Sequence, residues 1–403
     1  MEKFVKSHSV LIAGAGPVGL TAALVLADAG VAVKVFEAEA DVAEDLRAST
    51  FHPPTLDMLE RFGISSDLIA QGLTCPHWQI RLHPIGERAV FDLSVLEGET
   101  RHPYRLQCEQ WKLSRALLAR LANHPKVEIR FGARVTALTQ DDTGVALRVE
   151  NGGRVDTVRG AWLIGADGAG SVVRKALGLT FEGQTYPETT LLATTRFPFE
   201  EHLEGLSNVS YCWKAGGNFS LLKVPGRWRV SIYPREDLSV EGQLSPANIE
   251  ASLQEIVARP APYEVMEARP YRVHQRIARR YRVGRVFLAG DAAHVNSPAG
   301  GMGMNGGVHD AFNLAEKLAA VVLGRAEAAL LDLYERQRRP IARDEMLAQS
   351  DRNRARMREK DDVKRRAMLA DLKALIADRG RLKAHLLKTS MIEGLRQAER
   401  ITA

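Results

Sequence analysis

Six residues near the N-terminus restrict what this chain can fold into more than any other feature. Gly14-Ala15-Gly16-Pro17-Val18-Gly19 stands between an apolar run, Ser9–Ala13, and a stretch from Pro17 to Ala29 whose composition predicts a helix. A second apolar run, Val31–Phe36, follows and leads into Glu37 and Ala38. Apolar run, glycine turn, helix and apolar run make the pattern of a βαβ unit. The first glycine permits a tight turn, the second lets backbone approach a pyrophosphate, and the third lets helix pack on strand. A helix N-terminus favours the anion. Glu37, about twenty residues on, has the spacing of an acid that accepts hydrogen bonds from a ribose hydroxyl. An acid there repels a 2′-phosphate, so the nucleotide is FAD or NAD rather than NADP. This unit alone does not separate those two.

The rest of the composition excludes several classes. With 403 residues, 45% hydrophobic and 26% charged, the chain has the make-up of a globular protein with room for two or three units around a cleft. Three scattered cysteines, Cys75, Cys108 and Cys212, make neither a disulfide framework nor a thiolate metal site, and they point to a reducing cytoplasm. The first ten residues lack an apolar signal core. Gly14, Gly16, Pro17 and Gly19 interrupt the apolar stretch Val10–Ala27, which argues against a membrane span. No metal-ligand spacing, nucleophile elbow or Cys–His pairing stands out. The net charge of +6 comes from the tail, where 15 Lys/Arg face 8 Asp/Glu from Asp351 onward. Those charges are interleaved at helical spacings and lack stacking aromatics, so they read as a solvated helical face rather than a nucleic-acid or lipid site.

Along the chain, Pro54–Phe62 and Trp111–Ala122 predict helices, and Gln79–Asp92 weakly predicts strands. Val127–Glu150 alternates like an antiparallel meander turning at Asp141–Gly144. Ala161–Ile164 is a short apolar strand. From Leu179 to Arg280 the pattern is strand-like apart from one helix, Pro246–Val257. Arg285–Ala289 returns to a buried strand, Asn305–Leu323 predicts a helix, and the chain stays helical beyond Ala326.

Four further segments carry a family resemblance. Arg285–Gly307 reads RVFLAGDAAHVNSPAGGMGMNGG; Ala166–Ser171 reads ADGAGS and is followed by Arg174; Arg47 precedes FHPPTLDMLERFG; and Gln107 stands just before a predicted helix. All four fall in family order along the chain, and over about residues 8–325 they resemble the group A flavoprotein monooxygenases, the para-hydroxybenzoate hydroxylase-like family. The resemblance implies an α/β fold with a Rossmann-like FAD-binding domain (1–75, 100–178 and 281–330). It adds a second, antiparallel-sheet substrate domain (76–99 and 179–280) and a C-terminal helical region (331–403). It implies FAD as resident cofactor, with NADH or NADPH as a transient co-substrate. No second G-x-G-x-x-G fingerprint of a separate nicotinamide-nucleotide domain follows (Gly301–Gly306 repeats the spacing only within the flavin segment just quoted), which agrees with that transient binding. The activity implied is hydroxylation of a phenolic or heteroaromatic small molecule by O₂ through a flavin hydroperoxide. The expected partners are that aromatic substrate and O₂, with no nucleic acid, in a monomer or homodimer.

The same resemblance assigns roles. Asp291 meets a ribityl hydroxyl, Arg47 the pyrophosphate, and Gln107 lies near the flavin. Asp167 and Arg174 belong to a region touching FAD and the incoming nicotinamide nucleotide; for Arg174 the plainer alternative is a surface ion pair. Pro298 turns its carbonyl to substrate beside the reactive flavin carbon. The residues support parts of this directly. Asp291 projects from the carboxyl end of a strand, where ligands sit in open α/β sheets. Gly300, Gly301, Gly303 and Met304 lead into a helix starting near Asn305, whose N–H groups suit the electron-rich edge of an isoalloxazine.

For the substrate, Arg227, Arg229, Ser231 and Tyr233 share one strand face. Arg229 sits where the family's prototype has an arginine near substrate and can hold a carboxylate or phenolate. Pro298, Arg229 and Tyr233 are the candidate catalytic residues. The alternative is that this polar face meets solvent. Tyr211, Trp213 and Phe219 are either pocket or plain core. Among 11 histidines, His77, His83 and His294 are candidate bases, though no motif singles one out. A reductase or dehydrogenase acting on an isoprenoid or quinone is the competing enzyme reading. A halogenase is disfavoured because no W-x-W-x-I-P segment is present. A flavin-bearing sensor using the basic tail is a third.

Overall fold

The computed structural model describes residues 9–44, 48–233 and 239–402. Its N-terminal unit follows from the glycine turn. Val10–Ala13 is a fully buried strand, Pro17–Asp28 a helix and Val33–Phe36 the next strand. Gly14 has a φ of +101°, and a Cβ there would lie 2.4 Å from the Ala166 carbonyl oxygen. A Cβ on Gly19 would lie 2.0 Å from the Gly14 carbonyl oxygen. The first position needs glycine for both conformation and space, the second for space.

Six strands form the first sheet, in the order Arg282–Val283, Val286–Leu288, Trp162–Gly165, Val10–Ala13, Val33–Phe36, Val127–Arg130. All neighbours are parallel except the hairpin of the first two. Ile12 has Ile164 on one side and Val35 on the other. Such near-continuous apolar strands are what a sheet buried on both faces requires. The helices Pro17–Asp28 and Met302–Val322 pack on one another and share its core.

The meander is shorter than its alternation predicts. Val127–Arg130 joins the parallel sheet instead, and the antiparallel strands are Arg134–Gln140, Val145–Asn151 and Arg154–Gly160. The break falls at Gly132, which has a φ of +65°. There the N–H groups of Gly132 and Ala133 donate to the Glu39 and Glu37 carbonyls, turning the chain past the end of the neighbouring strand.

A second sheet has eight strands, in the order His294–Val295, Val265–Ala278, Phe181–Thr195, Arg227–Ile232, Gly217–Val224, Val209–Lys214, His77–Leu82, Arg88–Asp92. It is antiparallel apart from the pairing of Val209–Lys214 with His77–Leu82. A small sheet of Thr50–Phe51, Arg105–Gln107 and Leu73–Cys75 lies outside both.

After Asp332 the chain is helical, as the sequence predicts. These helices cover the far end of the second sheet, where Met357, Leu369 and Leu386 pack on Trp78, Phe91 and Trp213. The basic tail is therefore more than a solvated face. Arg365 is 1% exposed and donates to the carbonyls of Glu359, Lys214 and Gly217 at 2.5, 2.7 and 2.9 Å. All three cysteines are free and buried. Among the described residues, no helix is long and apolar enough to cross a membrane.

Candidate active site

A cleft with an empty volume of about 2360 Å³ runs along the carboxyl ends of the parallel strands and under the second sheet. Gly14, Gly16, Pro17 and Val18 line it at one end, with Glu37, Ala38 and Asp167. Asp291, Pro298, Gly301, Gly303 and Met304 line the middle. Arg229, Ser231, Tyr233 and Tyr211 come from the second sheet, so that polar strand face meets the cleft rather than solvent. Arg47 lies outside the described residues.

The cleft fits an extended dinucleotide. A Cβ on Gly16 would meet nothing within 4 Å, and the same holds at Gly168 and Gly170, so the space beside both loops is open. Glu37 is oriented before any ligand arrives, because its carboxylate accepts from the N–H of Ala15 at 2.7 Å and of Glu39 at 3.0 Å. Asp167 accepts from the Ser171 hydroxyl at 2.5 Å and from Val173 N–H at 3.1 Å, fixing the loop it belongs to.

Several sequence candidates lie behind the cleft wall. Gly19 packs helix on strand. Asn305 is fully buried; it accepts from His52 N–H at 2.9 Å and donates to the carbonyls of Thr50 and Gly301 at 2.8 and 2.6 Å. The helix starts earlier than predicted, at Met302, because Gly301 takes a φ of +68° at its N-cap. Gln107 is buried in a chain of side chains. Arg229 donates to the Ser49 hydroxyl at 2.5 Å, Ser49 to the Gln107 carbonyl at 3.2 Å, and the Gln107 amide to Thr50 at 2.9 Å. Burial lowers the Arg229 guanidinium to about 10, which leaves it cationic at neutral pH. Among the described residues Arg174 makes no surface ion pair. It is 4% exposed and ties the ADGAGS loop to the GDAAH loop through the carbonyls of Ala169 and Ala292, at 2.8 and 2.9 Å.

The candidate histidines stand away from the cleft lining. His77 is exposed beside Asp92, and His83 donates from Nε2 to the Glu255 carbonyl. His294 is buried against Asp310, which also takes Arg338. Trp213 and Phe219 are buried core; Tyr211 alone of the three candidate aromatics faces the cavity.

Sequence reasoning missed an inner chamber that shares Tyr211, Tyr233, Ala299 and Met302 with the cleft. Its empty volume is about 530 Å³. Trp78 and Arg105 wall one side; Asn353, Arg356, Met357 and His385, from the C-terminal helices, close the other. Burial, with a further contribution from Arg356 and Arg105, lowers His385 to about 4, so its ring is neutral at pH 7. Arg105 precedes Gln107 by two residues in one strand, a weak signal that was there to read. The tail residues carry no motif. Elsewhere, Asp57, Glu60 and His102 converge on the surface, with no spacing that announces it.

A two-sheet flavoprotein with a nucleotide cleft opening onto an enclosed aromatic chamber is the architecture these observations define. A family profile described as "FAD binding domain" matches residues 7–349. The chain is 37% identical over 399 residues to a para-nitrophenol 4-monooxygenase of Pseudomonas sp. strain WBC-3, covering 97% of each. It is 39% identical over 333 residues to a 6-hydroxy-3-succinoylpyridine 3-monooxygenase of Pseudomonas putida, covering 82% of this chain and 84% of that one. The solved structure of p-nitrophenol 4-monooxygenase from Pseudomonas putida DLL-E4 superposes with a TM-score of 0.89 at 34% identity, covering 96% of this chain and 97% of that one. The chain belongs to this FAD-binding family of aromatic monooxygenases, and its activity is flavin-dependent hydroxylation of an aromatic compound.

Proposed function

We propose that the chain hydroxylates a phenolic or heteroaromatic small molecule, using O₂ and reducing equivalents from NADH or NADPH. The observation that carries this is the continuity of the long cleft with the inner chamber at Tyr211, Tyr233, Ala299 and Met302. A ring seated there lies at the end of the nucleotide cleft, behind the loop that holds Pro298. The names of the relatives, para-nitrophenol and hydroxysuccinoylpyridine monooxygenases, support substrates of this class.

Within this reading the division of labour follows the two sheets, with 1–75, 100–178 and 281–330 holding cofactor and 76–99 with 179–280 holding substrate. Gly14, Gly16, Pro17 and Val18 would take the pyrophosphate and Glu37 the adenosine ribose. Asp291 and the segment Pro298–Met304 would face the flavin. Bound FAD supplies the redox chemistry and the activation of oxygen. The protein's part is to orient the ring, exclude water and present donors. Arg229, held by Ser49, offers a fixed cation on the cleft side. Tyr233 offers an O–H, since burial and then Tyr211 push its phenol up to about 12. The C-terminal helices close the chamber against solvent.

Oxidation of NADH and NADPH in air, with a panel of phenols and heteroaromatic acids and product masses under ¹⁸O₂, tests this. One compound should accelerate oxidation and gain a single labelled oxygen atom. Equal nucleotide consumption with every compound and no label incorporated would overturn the reading in favour of a reductase.

A further inference from the structure

We propose that the inner chamber selects aromatic substrates bearing an anionic oxygen substituent, held by the Arg105 guanidinium together with the Trp78 indole N–H. The inference rests on the hydroxylase reading and narrows its substrate class.

Arg105 is 3% exposed, and its Nε and Nη1 atoms have no hydrogen-bond partner among the described residues. Trp78 is 5% exposed, and its Nε1 atom likewise has none. The two side chains act as one unit: the Arg105 guanidinium carbon stands 4.8 Å from the centroid of a Trp78 ring. His385 Nε2 is a fourth buried polar atom without a partner among the described residues. Native interiors satisfy nearly all such groups, and a buried cation without a counter-charge is unfavourable. Both Arg105 and Arg356 have their guanidinium pKa lowered by burial. Tyr211 and Cys75 only partly offset this at Arg105.

Among the described residues that line the chamber, none is acidic. Cations and unpartnered donors therefore meet there without a carboxylate among the described lining residues. An oxygen-bearing anion that enters with the substrate completes both sets. A carboxylate or a phenolate oxygen can take either free guanidinium donor, Nε or Nη1, in a charge-assisted hydrogen bond. Trp78, Tyr211, Tyr233, Met302 and Met357, also in the lining, are suited to the faces and edges of a ring. If Arg105 served only to brace Trp78, ligand charge would not matter.

The test uses the purified FAD-loaded protein and two probes of equal shape, benzoate and neutral benzamide, with binding read from the perturbed flavin absorbance. Benzoate should bind about ten- to a hundredfold tighter, as expected for hydrogen bonds to a charged group. Arg105→Met should abolish that preference and leave benzamide binding nearly unchanged. Trp78→Phe keeps the ring over the cation but removes the N–H; it should reduce the preference severalfold and decides the matter if Arg105→Met does not fold. Equal binding of the two probes to the unmodified protein overturns the proposal. So does a benzoate preference that survives in folded Arg105→Met. Neither readout needs turnover. A protein that prefers benzoate yet puts oxygen into no ring keeps the anion site and loses the hydroxylase reading, and one that hydroxylates regardless of charge does the reverse.

Discussion

His294 and Asp310 meet at 2.6 Å with both side chains buried, and the second Asp310 oxygen takes Arg338 at 2.7 Å. Asp310 also accepts from the Gly290 N–H at 3.2 Å, so this ion cluster fixes the strand end from which Asp291 projects. Burial alone would push this carboxyl up. The His294 ring and the Arg338 guanidinium more than offset it and bring it down to about 2. The folded-state value thus lies below the unfolded one, so the stabilisation is complete above about pH 4 and fades as pH falls toward about 2. Asp310→Asn should cost about 3–5 kcal/mol, because it leaves Arg338 buried without its partner. Thermal unfolding measures this. The variant should also lose the steep acid dependence between those two pH values, and an unchanged acid midpoint would show that other carboxylates govern it.

Gly16 and Gly19 separate cofactor binding from folding. A side chain at Gly16 enters open cleft, whereas one at Gly19 would collide with the Gly14 carbonyl oxygen at 2.0 Å. Gly16→Leu should therefore fold with a near-native melting temperature for the apoprotein, yet bind FAD at least about tenfold more weakly. Gly19→Ala should lower the apoprotein's stability itself, by about 1–3 kcal/mol. FAD fluorescence titration and apoprotein thermal unfolding distinguish the two, and parallel losses in both variants would sink the distinction.

The sequence was most legible where backbone geometry dictates residue type. Gly14 and Gly19 could be read because a tight turn and a close helix–strand approach admit little but glycine, and Gly16 and Glu37 because the spacing of that unit sets them on the cleft. The two sheets could be read because buried parallel strands are apolar throughout and half-exposed antiparallel ones alternate. Val127–Arg130 was misassigned because four residues alternating in pattern do not reveal which sheet they pair with. Gly132, which ends the strand, looks like any turn glycine. The inner chamber was illegible for a different reason. His385 and Arg356 reach it from helices nearly three hundred residues beyond Trp78, and nothing local to a basic amphipathic helix says which of its side chains will be buried. Arg365 looked like one more surface charge, and only the fold shows it capping the turn between Lys214 and Gly217.

Tyr233 lines both cavities, and its raised pKa makes it a neutral donor rather than a base. Tyr233→Phe should lower kcat/KM about tenfold, the loss of one hydrogen bond to a polar substrate group. Between about pH 6 and 9 the shape of the pH–rate profile should not change, since the phenol stays protonated there. Loss of an alkaline limb in the variant would show that Tyr233 titrates during turnover and would contradict the donor role.

Arg365 offers a test of whether the C-terminal helices are a structural cover for the sheet and chamber. Its guanidinium carries three carbonyl contacts, to Glu359, Lys214 and Gly217, joining the start of the helix Asp362–Ala377 to the hairpin between two strands of the second sheet. Trp213, on that hairpin, donates in turn to the Arg356 carbonyl at 3.0 Å, and Arg356 lines the chamber. Arg365→Met removes the donors while keeping the apolar stem, and should cost about 2–4 kcal/mol. Because the loss is concentrated where the tail meets the sheet, limited proteolysis should cut within residues 359–378 before the parallel-sheet core. Substrate-stimulated oxidation of the nicotinamide nucleotide should become uncoupled from product formation, as water enters a chamber whose far wall has loosened. FAD content should stay near that of the unmodified protein, since the tail lies away from Gly14–Gly19. Loss of FAD in step with loss of coupling would show instead that the tail supports the whole cleft.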